Sequence, residues 1–280
     1  MEKKTAVLST LGALIIGTLF LTAYGVWIEP YRIEVSHVWI QDAYWGKILE
    51  KKVLVQLSDL HIGKIGSREQ RVLRILDGLR PDFIFLTGDY VKWKGDYKAA
   101  LSFLARLKAR TGIWAVMGDY DYSSPRKSCL FCHDEGSAHP ARSHAVRFLK
   151  DSVVSVRLPK GPLRIAGIDM KEEQALSRRG KLGDLGKNGP VLVLSHSPLA
   201  FDLFSEDQDV LILAGDTHGG QIPLPSWLLS AIGYRKNALY SQGLFVKGNK
   251  RMFVNRGIGT SHLPLRLFRR PEITVLHFTP

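Results

Sequence analysis

The chain has 280 residues, of which 45% are hydrophobic and 23% are charged, and its formal net charge is +13 at pH 7. This composition is typical of a folded globular protein and excludes a disordered or low-complexity chain. The excess of basic residues favours anionic partners, such as an anionic membrane surface. The basic residues are spread along the chain without a nucleic-acid recognition motif, so we expect no specific nucleic-acid partner.

An uncharged apolar segment occupies residues 5–28. A helix of 24 residues is roughly 36 Å long at 1.5 Å per residue, which is enough to cross a bilayer. The segment is longer than the apolar region of a cleaved signal peptide. We therefore predict an uncleaved signal anchor, a single transmembrane helix, in residues 1–28, followed by one folded domain in residues 29–280.

Charges beside the apolar segment bear on its orientation in the membrane. Lys3 and Lys4 precede it and favour a cytoplasmic N-terminus, whereas Arg32 and Lys47 lie close on the other side. We expect a single-pass membrane protein whose folded domain is extracytoplasmic, which in a bacterium means periplasmic.

Strand and helix patterns alternate after the anchor. Apolar residues at helical spacing predict helices in residues 67–80 and 97–108. A polar segment, residues 123–142, contains both cysteines and is predicted to be an inserted loop. Short apolar or alternating runs predict strands at 31–40, 52–57, 83–87, 113–117, 153–158, 163–168, 191–195, 210–214, 252–255 and 273–277. Strands alternate with helices early and crowd together late, which indicates a layered α/β domain with two sheets.

Acidic and histidine residues directly follow five of the predicted strands. The five motifs are Asp59-x-His61, Gly88-Asp89, Gly118-Asp119-Tyr120-Asp121, Ser195-His196 and Gly215-Asp216-x-His218. One such motif alone is usually a cap or a turn, but five at strand ends are hard to produce by chance. Open α/β sheets place ligand sites beyond the carboxyl ends of their strands, and converging carboxylates and imidazoles are costly to bury without cations.

The residue types predict a centre with two metal ions. Four carboxylates and three imidazoles suit two divalent cations that share one bridging carboxylate. Two such cations clamp a phosphoryl group and generate a hydroxide nucleophile. The predicted ligands are Asp59, His61, Asp89, Asp119, His196, Asp216 and His218.

The order of the motifs DLHIG, GDY, GDYD, SHSP and GDTHGGQ resembles that of the calcineurin-like metallophosphoesterases. The stretch GTSHLPLR at residues 259–266 is similar to one in a membrane-anchored bacterial branch, related to UDP-2,3-diacylglucosamine pyrophosphohydrolases and phosphodiesterases. The resemblance covers roughly residues 29–280 and implies a four-layer αββα sandwich of the metallophosphoesterase type. It also implies a first metal on Asp59, His61 and His218, a bridging Asp89, and a second metal on Asp119, His196 and Asp216.

Three residues depart from the pattern of that family. Asp119 and Tyr120 stand where the family usually has Asn-His, and Asp216 stands where it usually has His. An oxygen-rich second site favours Mn²⁺ or Mg²⁺ over Zn²⁺. The sequence does not decide the identities of the two metals among Mn, Mg, Fe and Zn. Tyrosine has an ordinary pKa of about 10, so it is a poor acid near neutrality but can donate a hydrogen bond. The candidate catalytic residues are Asp89, Tyr120 and Asp121.

The two cysteines form the motif C-x-x-C-H at Cys129, Cys132 and His133. This motif is the attachment signature for a c-type haem, with His133 as one axial ligand and His139 or His144 as a second. A disulfide or thiol pair, or a small zinc site, are the alternatives.

An apolar stretch, residues 225–232, follows closely after the last predicted ligands. It predicts either a buried helix or a surface element that dips into the bilayer interface. With the anchor and the basic surface, the second alternative points to a membrane lipid or lipid-linked phosphate as substrate. We thus predict metal-dependent hydrolysis of a phosphodiester or pyrophosphate bond by a metal-bound hydroxide. The alternative is a catalytically weak, membrane-tethered metal- or haem-binding sensor or scaffold on the same fold.

Overall fold

The N-terminal helix precedes the folded part of the chain. A computed structural model describes residues 2–92, 97–122, 144–168, 184–261 and 263–280. Helix α1 (Glu2–Trp27) is followed by a 3₁₀ turn, Glu29–Tyr31. The span Leu8–Tyr31 is long and apolar enough to cross a membrane, and only 6% of its most apolar window is buried against the protein. The predicted N-terminal helix of transmembrane length is thereby confirmed.

The first sheet has six strands and is mostly parallel. Its strand order is β1 (Glu34–Gln41), β12 (Glu272–Thr279), β2 (Leu54–Leu57), β3 (Phe83–Thr87), β4 (Gly112–Val116) and β5 (Val146–Phe148). Strands β2 to β5 run parallel to one another, whereas β12 is antiparallel to β2 and parallel to β1. The helices among these strands are α2 (Ala43–Ile48), α3 (Ser67–Leu79) and α4 (Tyr97–Leu104).

The second sheet also has six strands, and its four inner strands are parallel. Its order is β10 (Gly243–Lys247), β11 (Lys250–Val254), β9 (Val210–Ala214), β8 (Val191–Leu194), β7 (Gly161–Gly167) and β6 (Ser152–Leu158). The edge strands β10 and β6 are antiparallel to their neighbours. Two short helices, α5 (Ser226–Ala231) and α6 (Arg235–Leu239), lie between β9 and β10 in the chain.

The two sheets pack face to face through an apolar layer. Phe83 stacks on Trp114 with ring centroids 5.8 Å apart, and the ring of Phe85 lies tilted against Trp114 at 6.3 Å. Leu192 and Leu211 of the second sheet belong to the same buried cluster. Strands buried on both faces need continuous apolar sequence, which is why β3 and β9 have the predicted bounds. The prediction of an α/β fold with two sheets is confirmed.

The outer faces of the two sheets are covered differently. Helices α3 and α4 cover the first sheet through buried residues such as Val72, Leu76 and Leu101. In the described part of the chain, the 3₁₀ turn Pro198–Leu203 covers the second sheet, with Phe201 in its buried cluster. These elements cover the faces of the sheets and not the carboxyl ends of the parallel strands, where loops from both sheets can meet.

Some local structure differs from the sequence predictions. Helix α2 was not predicted; it begins after Asp42, whose carboxylate accepts hydrogen bonds from the N–H groups of Tyr44 and Trp45, both at 2.9 Å. Strands β5 and β10 were not predicted either. Strand β1 begins at Glu34 and not at residue 31, because the preceding residues form the 3₁₀ turn with Pro30 near its start.

The cysteine motif lies outside the described residues. Cys129, Cys132 and His133, like the rest of segment 123–142, are not described, so the predicted insertion and its haem, disulfide and zinc alternatives stay predictions. Of the two further haem-ligand candidates, His144 is described: it is buried and its ring packs against Phe148 at 5.8 Å.

The layer between the sheets is expected to dominate stability. Replacement of Trp114, which is 1% exposed, by Ala should lower the free energy of unfolding by about 3–5 kcal/mol, because a large cavity would remain between the sheets. Urea-induced unfolding of the detergent-solubilised chain measures this change. Trp227→Ala is the matched control: that side chain is 71% exposed, and its loss should change stability by less than about 0.5 kcal/mol. Equal losses in both variants would contradict the assigned packing.

Candidate metal centre

The predicted ligands lie in loops at the carboxyl ends of parallel strands. In the first sheet, Asp59 follows β2 and Asp89 follows β3, and backbone hydrogen bonds join their loops: Asp59 N–H donates to Gly88 O at 3.0 Å, and His61 N–H to Asp89 O at 2.9 Å. In the second sheet, His196 follows β8. Because parallel strands end at one edge of a sheet, these loops meet at one end of the sandwich.

Two glycines allow the loops of the two sheets to approach each other. A Cβ atom on Gly88, whose φ is +94°, would lie 2.6 Å from His196 Nδ1. A Cβ atom on Gly215 would lie 1.8 Å from Ser58 Oγ and 2.5 Å from Asp59 Oδ2. No larger residue fits at either position, which gives a physical reason for the Gly-Asp motifs at the strand ends.

Five of the predicted ligands form one buried cluster. His218 Nε2 lies 3.1 Å from His61 Nε2 and 3.3 Å from Asp59 Oδ1, while Asp89 lies 3.4 Å from His61 Nε2 and 3.6 Å from His196 Nε2. Each of the five is at most 4% exposed. Two groups of three could each hold a metal ion: one is Asp59, His61 and His218, and the other is Asp59, Asp89 and His196.

The orientation of His196 fits a cation. Its Nδ1 lies 2.7 Å from the carbonyl oxygen of Thr87, which can only accept, so Nδ1 carries the proton. Its buried Nε2 has no hydrogen-bond partner among the described residues and faces carboxylate oxygens of Asp89 and Asp119 at 3.6 and 3.5 Å. Ligand atoms about 2.1 Å from one cation lie roughly 3.0–3.4 Å apart, so the spacing within the cluster suits a shared divalent ion.

Burial changes the ionisation of the cluster in the protein alone. Loss of water raises the pKa of Asp59 to about 6 and lowers the pKa of His61 to about 3. It also raises the pKa of Asp89 and lowers that of His218. Burial likewise disfavours the charged form of His196, but attraction to Asp89 and its neighbours outweighs burial and raises that pKa. Divalent cations would stabilise ionised carboxylates beside neutral imidazoles, which is the ligand state that metals need.

Five of the seven predicted ligands have left-handed backbone conformations. Their φ angles are +49° for Asp59, +43° for His61, +58° for Asp89, +72° for Asp216 and +53° for His218. Such conformations cost of the order of 1–3 kcal/mol each for residues other than glycine. Local preferences therefore do not hold these loops in place, and tertiary contacts must.

Asp121 supplies one such set of contacts. It is fully buried, and its carboxylate accepts hydrogen bonds from the N–H groups of Asp89, Tyr90 and Gly118, each at 2.9 Å, and of Val91 at 3.3 Å. It thereby joins the loops after β3 and β4. Both oxygens are engaged by backbone donors, which suits a positioning residue; the predicted catalytic role of Asp121 stays a prediction.

Arg266 supplies the second set of contacts, although the sequence analysis assigned no role to this residue beyond its place in the GTSHLPLR stretch. Its fully buried guanidinium donates to the carbonyl oxygens of Gly259 at 2.6 Å and Arg256 at 2.8 Å, and lies 3.3 Å from His218 Nδ1. Its backbone N–H donates to Gly25 O of α1 at 2.9 Å. Arg266 therefore connects the anchor helix to a metal-ligand candidate.

The two unusual carboxylates lie at the margin of the cluster. Asp119 Oδ1 is 3.5 Å from His196 Nε2, but its side chain is 51% exposed. The carboxylate of Asp216 forms an ion pair with Lys236, while its backbone N–H donates to Asp59 at 3.1 Å. Sequence reasoning missed Lys236, because no motif connects it to a residue twenty positions earlier. The ligand roles of both carboxylates stay predictions, and Lys236 would compete with a cation for Asp216.

Tyr120 borders the cluster at the ring of His61. The two ring centroids are 4.6 Å apart with an interplanar angle of 80°, and the backbone N–H of Tyr120 donates to Asp89 Oδ1 at 3.0 Å. Burial, reinforced by the nearby carboxylates, raises the pKa of Tyr120 to about 12. The phenol is therefore protonated at neutral pH and suited to donate a hydrogen bond; its catalytic role stays a prediction.

A cavity of about 360 Å³, which we call the outer cavity, opens over the cluster. Its volume suits a small phosphoester group. Helix α6 and the residues beside it form the wall opposite the metal-ligand candidates. The charged and polar residues that line it include Asp89, Asp119, Tyr120, Asp216, Arg235, Lys236 and Asn237.

The contacts of Asp121 predict a structural effect. Asp121→Asn should lower the free energy of unfolding by about 1–3 kcal/mol, because the amide nitrogen cannot accept from the backbone N–H groups. Chemical denaturation of the full-length chain measures it. Asp77→Asn, an exposed position on α3, is the matched control and should stay within about 0.5 kcal/mol of the unaltered chain. An Asp121→Asn chain as stable as the control would contradict the positioning role.

The geometry agrees with comparisons to known proteins. The chain is 28% identical over 286 residues to the uncharacterized metallophosphoesterase YkuE of Bacillus subtilis, with 98% of this chain and 96% of the relative covered. It is 26% identical to the phosphodiesterase YaeI of Escherichia coli, with 70% of each chain covered. It is 23% identical to the UDP-2,3-diacylglucosamine pyrophosphatase LpxG of Chlamydia muridarum, with 80% of this chain and 82% of the relative covered.

The family model for calcineurin-like phosphoesterases matches residues 52–220, which is more than half of the chain. The matched region contains all seven predicted metal ligands. Members of this family usually bind divalent metals, and the buried cluster supplies suitable ligand groups. The protein therefore belongs to the calcineurin-like phosphoesterase family and is a hydrolase that acts on phosphoric ester bonds.

Proposed function

We propose that the protein hydrolyses a phosphodiester or pyrophosphate bond in a lipid-linked substrate at a membrane surface, with two divalent cations. The observation that carries this proposal is the short connection between the anchor and the metal centre. Gly25 O of α1 accepts from Arg266 N–H, and the guanidinium of Arg266 lies against His218. A metal centre attached so closely to the end of a transmembrane helix would work near the bilayer surface.

Exposed apolar side chains near this end of the molecule support the same substrate class. Trp227 and Ile232 are 71% and 52% exposed, so α5 is a surface helix and not a buried one. Leu263 is 54% exposed, and its carbonyl accepts from Gln221 Nε2 at 3.1 Å, which ties its loop to the chain that leads into α5. Apolar residues grouped in this way suit contact with a bilayer interface.

The chemistry follows from the side chains of the cluster. Asp59, His61, Asp89, His196 and His218 would hold the cations, which when bound supply Lewis-acid stabilisation of the phosphoryl group and activation of water. The names of YaeI, a phosphodiesterase, and LpxG, a pyrophosphatase, favour these two bond types. Carboxylates at the margin of the site disfavour a dianionic monoester for electrostatic reasons.

Residues around the outer cavity would orient the substrate. The protonated phenol of Tyr120 would donate a hydrogen bond to a phosphoryl or leaving-group oxygen. Lys236, which forms an ion pair with Asp216, would donate a hydrogen bond from its ammonium group to the phosphate. An extracytoplasmic domain is part of the proposal, since Lys3 and Lys4 precede the apolar segment of α1.

Metal-dependent turnover tests the reaction. With Mn²⁺, the full-length chain should hydrolyse a soluble aryl phosphodiester, and Asp89→Asn should reduce kcat by roughly 10²–10³-fold, because a central carboxylate of the cluster is lost. Asp77→Asn is the control for an exposed carboxylate. Absence of turnover with Mn²⁺, Mg²⁺, Zn²⁺ and Fe²⁺ would sink the enzymatic proposal and favour the sensor or scaffold.

A second experiment tests the lipid substrate. The ratio of activity on a phospholipid diester in mixed micelles to activity on the soluble ester should fall about tenfold in Trp227→Ser/Ile232→Ser, because two exposed apolar contacts with the interface are removed. Trp39→Ser, which removes a 64% exposed tryptophan from β1, is the control. An unchanged ratio in the double variant would argue against interfacial binding by α5.

A further inference from the structure

A second cavity, of about 700 Å³, adjoins the metal centre at His61 and extends to the end of α1. It is separate from the outer cavity, which is lined by α6. Its volume lies in the range of sites that hold drug-sized ligands. The residues that characterise it are Trp27, Tyr31, His61, Lys64, Arg68 and Lys92.

The lining of this cavity is cationic. Lys64 and Lys92 are exposed and make no ion pair with any residue in the described part of the chain. The acidic residue of the lining, Glu69, is already engaged: it accepts from Gly66 N–H at 2.9 Å and pairs with Arg68 at 2.8 Å. The cavity therefore presents a net positive charge that no neighbouring carboxylate cancels, which suits an anionic ligand.

One end of the cavity lies at the membrane anchor and the other at a metal-ligand candidate. Trp27 and Tyr31, at the end of the transmembrane span, are 72% and 46% exposed, as expected of aromatic residues at a membrane interface. At the other end, His61 is 3% exposed, and its Nδ1 is buried without a hydrogen-bond partner among the described residues. A ligand in this cavity would thus reach from the interface to the reacting centre.

We propose that this cavity binds the phosphate-bearing headgroup of a membrane lipid whose acyl chains stay in the bilayer beside α1. Lys64 and Lys92 contact the headgroup phosphate, and Trp27 and Tyr31 contact the glycerol or sugar portion at the interface. The lipid half of the substrate then lies on the α1 side of the metal centre, and the other half lies in the outer cavity beside Lys236. The assignment of the ligand as substrate rests on the proposed function; the binding site itself does not.

Lipid binding is measured directly, without turnover. A fluorescent short-chain phosphatidic acid is titrated with the full-length chain in detergent, and anisotropy gives the Kd. The variant Lys64→Glu/Lys92→Glu should raise the Kd at least tenfold, and the milder Lys64→Gln/Lys92→Gln should raise it about threefold. The control Lys51→Glu/Lys108→Glu makes the same charge change at exposed lysines before β2 and β4, at the opposite strand ends, and should stay within twofold.

Further measurements distinguish binding of the lipid from binding of free phosphate. They also distinguish failure of the proposed binding site from failure of the proposed hydrolysis. Inorganic phosphate at millimolar concentration should not displace the lipid, and the corresponding short-chain phosphatidylcholine should bind more weakly. Displacement by phosphate alone, or an equal loss of affinity in the control variant, would overturn the proposal. An inactive chain that still shows the lysine-dependent Kd would leave this site standing while the proposed hydrolysis fails. An active chain whose Kd for the lipid does not depend on Lys64 and Lys92 would overturn this binding site and leave the proposed hydrolysis standing.

Discussion

The structure must hold carboxylates and imidazoles close together in a buried cluster at the ends of its two sheets, although burial disfavours their charged forms. His196 is fixed by the carbonyl of Thr87, so that its other nitrogen faces carboxylate oxygens of Asp89 and Asp119 without a hydrogen-bond partner among the described residues. Burial drives Asp59 and Asp89 towards the neutral form and His61 and His218 away from the charged form. Bound divalent cations would resolve this conflict, because they would stabilise ionised carboxylates beside neutral imidazoles.

The loops that carry these groups are held by contacts from outside the cluster. Five ligand candidates have positive φ angles, which their own residue types do not favour. Asp121 counters this cost by accepting hydrogen bonds from the loops after β3 and β4, and Arg266 does so by tying carbonyl groups around His218. Preorganisation of a metal centre thus depends on two buried charged residues that need not touch the substrate.

The same arginine relates the site to the membrane. The backbone N–H of Arg266 donates to Gly25 O, so the loop that carries Arg266 contacts both the end of α1 and the metal-ligand candidates. The second cavity, of about 700 Å³, lies between them. Trp27, at the end of the transmembrane span, and Trp227, on helix α5, are 72% and 71% exposed. Exposed aromatic residues of this kind support the proposal of a lipid-linked substrate.

The order of apolar strands and helices by itself determined the fold class, and the strand-end motifs predicted seven metal ligands, five of which the structure brings into one buried cluster. Strands such as β3 and β9 were predicted to the residue because burial on both faces demands continuous apolar sequence. The motifs predicted Asp59, His61, Asp89, His196 and His218 because parallel strands must end at a common edge. Only the tertiary structure paired Asp216 with Lys236, turned both Asp121 oxygens to the backbone and placed Arg266 between anchor and metal centre. Those contacts join residues far apart in the chain through geometry that no periodicity encodes, so sequence patterns could not reveal them.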